Sequence, residues 1–402
     1  MLLHSSVGGE VGRKNQKNMM NTMNKFNRMV ACLCLLGALT LATGCALRHQ
    51  TVARHQDDTP PGRYRGAFHV HSKYSHDCRA SLDLVIRSAQ SCDLDFVIVT
   101  DHDTRKGAHH YRHGTYPDTP LLIFGNEIST TSGHLIALGV EYESPEPRPA
   151  LEVIDAVAAA GGFSVLSHSF CDNPAWTDWG ADGVAGIEVF NFGHEFYEGN
   201  RLKIALRALF VTPEHFVGRI PNTPRQELRQ WDRLLQRRHV AAFGGTGAHL
   251  PWRWLSRNIF ESVLGSVTTY IDTDRLDSDS VLSALAGGRT FFAVEAHGCA
   301  DNFRFVVNSD GRRGSMGDTV MLEPDSSLLV RTPRTGDIRV IHDGVLLAQR
   351  RARYLSIPLS EPGVYRVEVY LDNELWIVAN PIYVRDGPLL YASAAARIEM
   401  EP

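Results

Sequence analysis

The chain has 402 residues, of which 43% are hydrophobic, so it can bury a substantial core and is long enough for two domains. Its formal net charge is -4 at pH 7, with 41 basic and 45 acidic residues. Because there is neither a basic excess nor a Lys/Arg stripe interleaved with aromatic residues, nucleic acid is not expected as a partner. A small-molecule substrate is expected instead.

The first 45 residues carry the features of an export signal. Basic residues precede an apolar run from Met29 to Ala42, which is too short to span a bilayer comfortably. Small residues then precede Cys45, and the stretch from Leu41 to Cys45 resembles the bacterial lipoprotein box. The resemblance implies that Cys45 is acylated and that the protein is anchored on the periplasmic side of the bacterial cell envelope. An ordinary secretory signal with an incidental cysteine is the alternative.

Residues 46–63 are polar and lack periodicity, which predicts a flexible tether between the lipid and the folded part. Beyond the signal, the cysteines have wide, irregular spacings and no CxxC pair, so structural or free thiols are expected. One or two disulfides in the oxidising envelope are the alternative. These cysteines are Cys78, Cys92, Cys171 and Cys299.

Between residues 64 and 298, short apolar runs alternate with helical patterns. One helix is predicted from Leu82 to Cys92, where apolar residues recur on one face. Another is predicted from Thr223-Pro224, with inward-facing Leu228, Trp231, Leu234 and Leu235. This alternation predicts an α/β fold with a parallel barrel. The predicted strands are 66–70, 96–100, 121–124, 134–140, 163–167, 186–190, 240–243 and 268–271.

The pattern changes near Asp301, where short alternating runs are separated by Gly, Pro, Asp and Asn. It predicts a small all-β sandwich over residues 299–388, packed on the barrel, and a tail over 389–402. The predicted strands are 303–307, 327–331, 338–342, 353–358, 365–371 and 375–378.

His69 and His71 close the first predicted strand. Because strand side chains alternate between faces, both imidazoles point the same way and can share a metal. An isolated pair of this kind is equally typical of two polar residues at a strand end. Here the second strand also ends in Asp101-His102-Asp103, and the conjunction is far more specific.

Later strand ends carry further potential ligands. Barrel active sites lie at the carboxyl ends of the strands, so these side chains are expected to converge at one mouth. Each histidine alone is better explained as a solvated or capping residue, but together they predict a metal site. The residues are Glu127, His134, His168 and His249.

From Tyr64 to His297 the chain resembles the PHP family, the polymerase and histidinol phosphatase domain superfamily. Phe68-His69-Val70-His71-Ser72 is similar to its first motif, and Val99-Thr100-Asp101-His102-Asp103-Thr104 to its second. The resemblance implies a distorted (β/α)7 barrel holding two or three divalent metal ions, either zinc, manganese or iron. The residues that match the later motifs are Glu127 with His134, His168 and His249.

The resemblance also implies a division of ligands among three metals, with Glu127 bridging the first two. The implied sets are His69, His71 and Glu127 for the first metal, Glu127, His134 and His168 for the second, and Asp77, His102 and His249 for the third.

Two positions depart from the family pattern. The last motif of the family reads Gly-Ser-Asp-Ala-His, and this chain has Gly247 at the Asp position. The first metal therefore lacks the carboxylate ligand that this Asp supplies in the family. Gly247→Asp is expected to improve retention of that metal, provided that the backbone does not require a positive φ. Near the first motif, Asp77 is the preferred ligand and His76 the alternative.

The C-terminal segments from Gly363 to Glu368 and from Trp376 to Val384 resemble the β-sandwich of a PHP branch that includes carbamate-ester hydrolases. The preferred role of this region is that of a packing module.

Metal chemistry needs no Ser or Cys nucleophile, because the metals activate a water molecule and stabilise the developing charge. Glu127 and Asp101 are the expected catalytic residues, with Asp101 as an orienter of its neighbour His102 or as a proton acceptor. Some residues could contact an anionic substrate, although surface solvation explains each of them better. They are Lys73, Asn191, His194 and Arg253.

The first functional hypothesis is therefore a metal-dependent phosphoesterase. Hydrolysis of a carbamate or carboxylic ester is the second, and a metal-binding or ligand-binding lipoprotein without catalysis is the third.

Overall fold

The computed structural model describes residues 62–111, 119–144, 146–170, 175–193, 223–250 and 257–386. Several sequence predictions fall outside these ranges. They are the signal with Cys45, the tether up to residue 61, Cys171, His194, Arg253 and the tail.

The described residues form a mixed α/β structure. The strands are β1 (Arg63–Val70), β2 (Phe96–Val99), β3 (Leu121–Phe124), β4 (Asn126–Thr130), β5 (Gly133–Leu138), β6 (Phe163–Leu166), β7 (Gly186–Asn191), β8 (Ala241–Gly245), β9 (Val267–Asp272), β10 (Thr290–Val294), β11 (Arg304–Ser309), β12 (Arg312–Gly314), β13 (Thr319–Met321), β14 (Ser327–His342), β15 (Val345–Pro358), β16 (Gly363–Leu371) and β17 (Glu374–Arg385). The α-helices are α1 (Leu82–Ser91), α2 (Lys106–His110), α3 (Ala150–Ala159), α4 (Arg225–Leu235), α5 (Arg257–Leu264) and α6 (Ser278–Ala286).

Two helices show how the local sequence specifies them. The helix α1 begins after Ser81, whose Oγ accepts a hydrogen bond from the Leu84 amide at 3.1 Å and so satisfies a free donor of the first turn. The apolar face of α4 is buried as predicted, with Trp231 fully inaccessible and donating from its indole nitrogen to the Val240 carbonyl at 2.8 Å.

The strands belong to two sheets. The larger has 12 strands in the order β12-β11-β14-β16-β17-β10-β9-β1-β2-β3, with β13 and β15 added beside β17 and β14. The smaller has 5 strands in the order β4-β5-β6-β7-β8. Isolated bridges join the two sheets, from Val70 to Ala248 and from His102 to Glu127.

The predicted closed (β/α)7 barrel is not confirmed, since neither sheet closes on itself within the described residues. Only Gly125 separates β3 from β4, and only Thr131 and Ser132 separate β4 from β5. A parallel pair needs a crossover of about a dozen residues or more, whereas a two-residue turn joins antiparallel strands. Accordingly β4 and β5 pair antiparallel. The strands β5 and β6 also pair antiparallel, although the helix α3 lies between them, so the strand-helix alternation of a parallel barrel is interrupted here.

The C-terminal strands β11–β17 are hydrogen-bonded into the larger sheet rather than forming a sheet of their own, because β17 pairs antiparallel with β10. Their apolar core also includes Tyr270 and Phe291 from β9 and β10. Two predicted strands, 327–331 and 338–342, are parts of the single strand β14, which passes its Pro-Gly interruption through a register shift between Arg331 and Gly336.

Among the described cysteines, Cys78, Cys92 and Cys299 are free thiols. Within the same part of the chain, no helix is long and apolar enough to cross a membrane.

Asn380 on β17 connects the two sheets. Its Oδ1 accepts from the Ala242 amide of β8 at 2.6 Å, and its Nδ2 donates to the Ala242 carbonyl at 3.1 Å. The same Nδ2 donates to Thr290 Oγ1 of β10 at 2.7 Å. This buried side chain therefore satisfies the backbone groups of Ala242 on β8 from a strand of the other sheet.

Asn380→Ala is expected to lower the free energy of unfolding by about 2–5 kcal/mol, since each buried polar group left unsatisfied costs about 1–3 kcal/mol. Urea unfolding followed by circular dichroism would measure the change. The matched control is Asn258→Ala, at an exposed position of α5, which should change stability by less than about 0.5 kcal/mol. Equal stabilities of the two variants would contradict the role given to Asn380.

Candidate metal centre

The sequence-predicted ligands converge at one edge of the two sheets. Each lies in the final part of a strand or just after it, except that Glu127 and His134 lie near the beginning of β4 and β5. The residues are His69 and His71 at the end of β1, His102 after β2, Glu127 on β4, His134 on β5, His168 after β6 and His249 after β8.

Three groups of these side chains place their ligand atoms within 4.8 Å of one another. The groups are His69, His71 and Glu127; His102, Glu127 and His134; and His71, Asp77, His102 and His249.

The carboxylate of Glu127 lies at the centre of the cluster and is fully buried. Its Oε2 faces His69 Nε2 at 2.9 Å and His71 Nε2 at 3.2 Å. Its Oε1 faces His134 Nδ1 at 3.1 Å and His168 Nε2 at 2.9 Å. The two oxygens thus point to two separate pairs of imidazoles, which is the geometry required of a bridging carboxylate.

His69 and His71 approach each other closely, with their Nε2 atoms 3.0 Å apart. His69 has a φ of 65°, a conformation that is strained for a residue with a side chain. The surrounding chain fixes it, because Thr246 Oγ1 donates to the His69 carbonyl at 2.9 Å and the His71 amide donates to the Ala248 carbonyl at 3.1 Å. The end of β8 therefore holds the pair in place.

Asp77 lies on the more open side of the cluster. Its Oδ2 is 3.1 Å from His249 Nε2 and 3.5 Å from His102 Nε2, and its Oδ1 accepts from Ser75 Oγ at 2.7 Å. His76, the alternative ligand, is exposed, and its ring centroid lies 5.1 Å from that of His102. The preferred Asp77 is thus the residue within ligand distance of the two histidines.

Asp101 is buried but does not contact the imidazole of its neighbour His102. Its Oδ1 accepts from the Ser72 amide at 2.6 Å and its Oδ2 from Ser72 Oγ at 2.7 Å. Burial raises the pKa of Asp101, although the hydrogen bonds from Ser72 oppose this shift. Its position is that of a residue that fixes the loop after His71, rather than one that orients a histidine ring directly.

The predicted substrate-contacting residues have different locations. Lys73 is exposed, and its Nζ lies 5.1 Å from the centroid of the Tyr74 ring. Asn191 is buried beneath the cluster, where its Nδ2 lies 3.3 Å from His69 Nδ1. His194 and Arg253 fall outside the described residues. A substrate contact by any of the four stays a prediction.

Sequence reasoning missed Glu188, a fully buried carboxylate on β7. Its Oε1 lies 2.8 Å from His69 Nδ1, and its Oε2 accepts from the His168 amide at 2.9 Å. The available signal was a single acidic residue among the apolar residues of the strand Gly186–Asn191, which ends in the polar Asn191. Such a residue is rarely buried without a partner of opposite charge.

The cluster is electrostatically coupled. Burial alone would lower the pKa of His69, but the charges of Glu127 and Glu188 outweigh it and raise that pKa well above its usual value. Burial lowers the pKa of His71 well below its usual value. For His102, burial opposes the shift, and nearby carboxylates including Glu127 raise its pKa to about 9. The buried carboxylates therefore favour positive charge in their immediate surroundings.

These residues fit divalent metal ions. Imidazole nitrogens and carboxylate oxygens are the usual ligands of zinc, manganese and iron. The Nε2 atoms of His69 and His71 are 3.0 Å apart. At this distance two ring nitrogens repel each other unless a proton or a cation lies between them. His102 Nδ1 is buried without a hydrogen-bond partner in the described part of the chain, and it lies 3.5 Å from Glu127 Oε2. A cation at this point would engage it.

The structure alters the expectation for Gly247. This residue has a φ of 53°, and a Cβ atom at this position would collide with Asn191 Oδ1. The expected gain in metal retention from Gly247→Asp depended on a backbone that does not require a positive φ. This condition is not met, since both the backbone and the available space favour glycine.

No protein-family model matches the chain. The chain is 25% identical over 139 residues to an uncharacterised protein of Methanocaldococcus jannaschii, a match that covers 31% of this chain and 81% of that protein. It is similar to the solved structure of a two-domain protein from Bacteroides vulgatus that contains a predicted PHP-like metal-dependent phosphoesterase. The two are 14% identical with a TM-score of 0.41, and the match covers 80% of this chain and 97% of that chain. It is also similar to a protein from Bifidobacterium adolescentis assigned as a metal-dependent phosphoesterase, with 17% identity, a TM-score of 0.34 and coverage of 46% and 88%. Likenesses this distant assign no reaction to the chain.

Adding zinc or manganese to metal-stripped protein should raise its melting temperature. An ion that binds only the folded state stabilises it by about 2.7 kcal/mol at a concentration 100 times its Kd. Glu127→Gln should lose most of this increase, because its carboxylate faces both pairs of imidazoles. The control is Glu143→Gln, at an exposed position outside the cluster. A wild-type melting temperature unaffected by either ion would contradict the metal centre.

Proposed function

We propose that the chain is a metal-dependent hydrolase, most specifically a phosphoesterase. The observation that supports this most strongly is the bridging position of Glu127, whose two oxygens face separate pairs of histidines. Sites with two metals joined in this way are typical of phosphatases and nucleases, where paired cations stabilise both the attacking and the leaving oxygen. The resemblance of the histidine motifs to the PHP family supports the same reaction class.

Bound divalent ions, either zinc, manganese or iron, would supply the Lewis acidity and lower the pKa of a water molecule so that it can attack at neutral pH. In the described residues, His69 and His71 would hold one ion together with Glu127, and His134 and His168 would hold a second. His102, Asp77 and His249 would hold a third on the more open side.

The protein side chains perform the remaining tasks. Glu127 lies between the pair His69 and His71 and the pair His134 and His168, and so fixes their separation. Asp101 holds the Ser72 backbone, which directs the neighbouring His71 toward the cluster. Asp77 is partly exposed, so the side of the cluster formed by Asp77 and His249 is where a substrate can approach from solvent. Lys73 lies on the same loop and is exposed, which would favour an anionic substrate.

Hydrolysis of a carbamate or carboxylic ester is the second candidate, and the resemblance of the C-terminal strands to those of carbamate-ester hydrolases favours it. The same metal centre can polarise a carbonyl oxygen as well as a phosphoryl oxygen. An aryl phosphate, an aryl phosphodiester and an aryl carbamate therefore form the minimal substrate panel.

For location, we propose that a lipid on Cys45 anchors the chain at the periplasmic side of the bacterial envelope. The support is the apolar run that ends in small residues before this cysteine. The polar segment 46–61 would then separate the metal centre from the lipid surface.

His102→Ala should reduce hydrolysis of the preferred panel substrate by about a hundredfold or more, because loss of a residue that only supports a ligand already costs about 10–100-fold. Initial rates with saturating metal, together with circular dichroism to verify folding, would measure this. The control is His109→Ala, at an exposed position of α2, which should retain wild-type turnover. A folded His102→Ala variant with unchanged turnover would place the active site elsewhere.

Cys45→Ala should move the protein from the membrane fraction to the soluble fraction of cells, since it removes the proposed acylation site. Immunoblotting of both fractions would detect the shift, with Cys92→Ala as the control that should stay in the membrane fraction. A Cys45→Ala variant found entirely in membranes would contradict the lipid anchor.

A further inference from the structure

Glu188 lies beneath the metal centre without belonging to any of its three ligand groups. Among the described residues, its hydrogen-bond contacts are with groups that can donate. They are His69 Nδ1 at 2.8 Å, the His168 amide at 2.9 Å, Ser167 Oγ at 3.2 Å and Asn191 Nδ2 at 3.1 Å.

Glycine on the neighbouring strand makes room for this carboxylate. A Cβ atom at Gly245 would collide with Glu188 Oε1, just as one at Gly247 would collide with Asn191 Oδ1. Glu188 and Asn191 lie on β7, and the two glycines lie at the end of β8 and just after it. The side chains that fill this part of the site therefore come from β7 and not from β8.

The two nitrogens of His69 face different groups. Its Nε2 faces Glu127 Oε2 at 2.9 Å and His71 Nε2 at 3.0 Å. Its Nδ1 lies 2.8 Å from Glu188 Oε1, which is nearer than Asn191 Nδ2 at 3.3 Å and Ser167 Oγ at 3.4 Å. A carboxylate that accepts from Nδ1–H leaves the lone pair on Nε2, which is the atom directed at the other ligands. Metal-binding histidines usually have such a partner, which fixes the tautomer and the ring orientation.

Resting on the proposed function, we infer that Glu188 is a positioning residue for metal binding, which holds His69 in the Nδ1–H tautomer and anchors the backbone of His168. It thereby aligns ligands on both sides of Glu127. Gly245 and Gly247 leave the space that this arrangement needs, because larger residues at these positions would displace Glu188 and Asn191.

Glu188→Gln tests this inference while preserving the side-chain volume. An amide has one oxygen and one nitrogen, so at least one group that donates to Glu188 would face another donor. If the amide nitrogen faces His69 Nδ1, the ring must carry its proton on Nε2 and cannot bind a cation there. We expect the affinity for the ion that His69 would hold together with His71 and Glu127 to fall about 10–100-fold.

The measurement is manganese or zinc per full-length chain after dialysis against graded concentrations of EDTA. Glu368→Gln is the matched control, since Glu368 is a buried carboxylate that binds Arg366 and Tyr370 away from the centre. It should lower thermal stability without changing metal content. In the double variant Glu188→Gln with Asn191→Asp, a new carboxylate near His69 Nδ1 should restore part of the lost affinity.

Proton-detected spectra of the histidine rings in zinc-loaded wild-type protein provide a second measurement that does not depend on a variant folding. His69 should keep a slowly exchanging proton on Nδ1, and a proton on Nε2 would overturn the inference. Equal metal retention by wild type and Glu188→Gln would overturn it alone and leave the proposed function intact. A wild-type protein that retains no metal would overturn both.

Discussion

Full burial of the Glu127 carboxylate is the constraint on which the rest of the site depends. An ion buried without compensation costs several kcal/mol, so this carboxylate requires positive charge on both of its oxygens. Imidazoles surround it, but they also crowd one another, as the 3.0 Å approach of His69 to His71 shows. Divalent cations would satisfy the carboxylate and would lie between the crowded ring nitrogens. The cluster is therefore a set of groups that are mutually compatible when metal is bound.

The architecture supplies these groups from two sheets rather than one. His69 and His71 come from β1 of the larger sheet, and Glu127 and His134 come from β4 and β5 of the smaller one. The relative position of the ligands thus depends on the bridges at the site, such as that between His102 and Glu127, and on connections farther away, such as Asn380. The contacts that hold the two sheets together therefore also hold the metal ligands in their relative positions.

The sequence was sufficient to predict the residues that meet at the centre, because strand periodicity brings His69 and His71 to one face and apolar runs mark where the other ligands follow. It was not sufficient for Glu188, since an isolated acidic residue in a strand has no spacing that identifies its partner. The antiparallel turn between β4 and β5 was missed because Thr131-Ser132 is not a common turn sequence. Local patterns also do not encode the pairing of β10 with β17, which depends on residues far apart in the chain.

That pairing limits how this protein can be divided or recombined. Phe291, Phe292 and Ala293 of β10 are in register with Ala379, Val378 and Ile377 of β17, so the boundary suggested by composition near residue 298 cuts through one continuous hydrogen-bonded sheet. A chain ending there would expose an apolar strand edge, which is a template for aggregation. Exchange of the C-terminal strands between related proteins would need a matching β10, and the two parts of the chain are therefore expected to diversify together rather than as interchangeable modules.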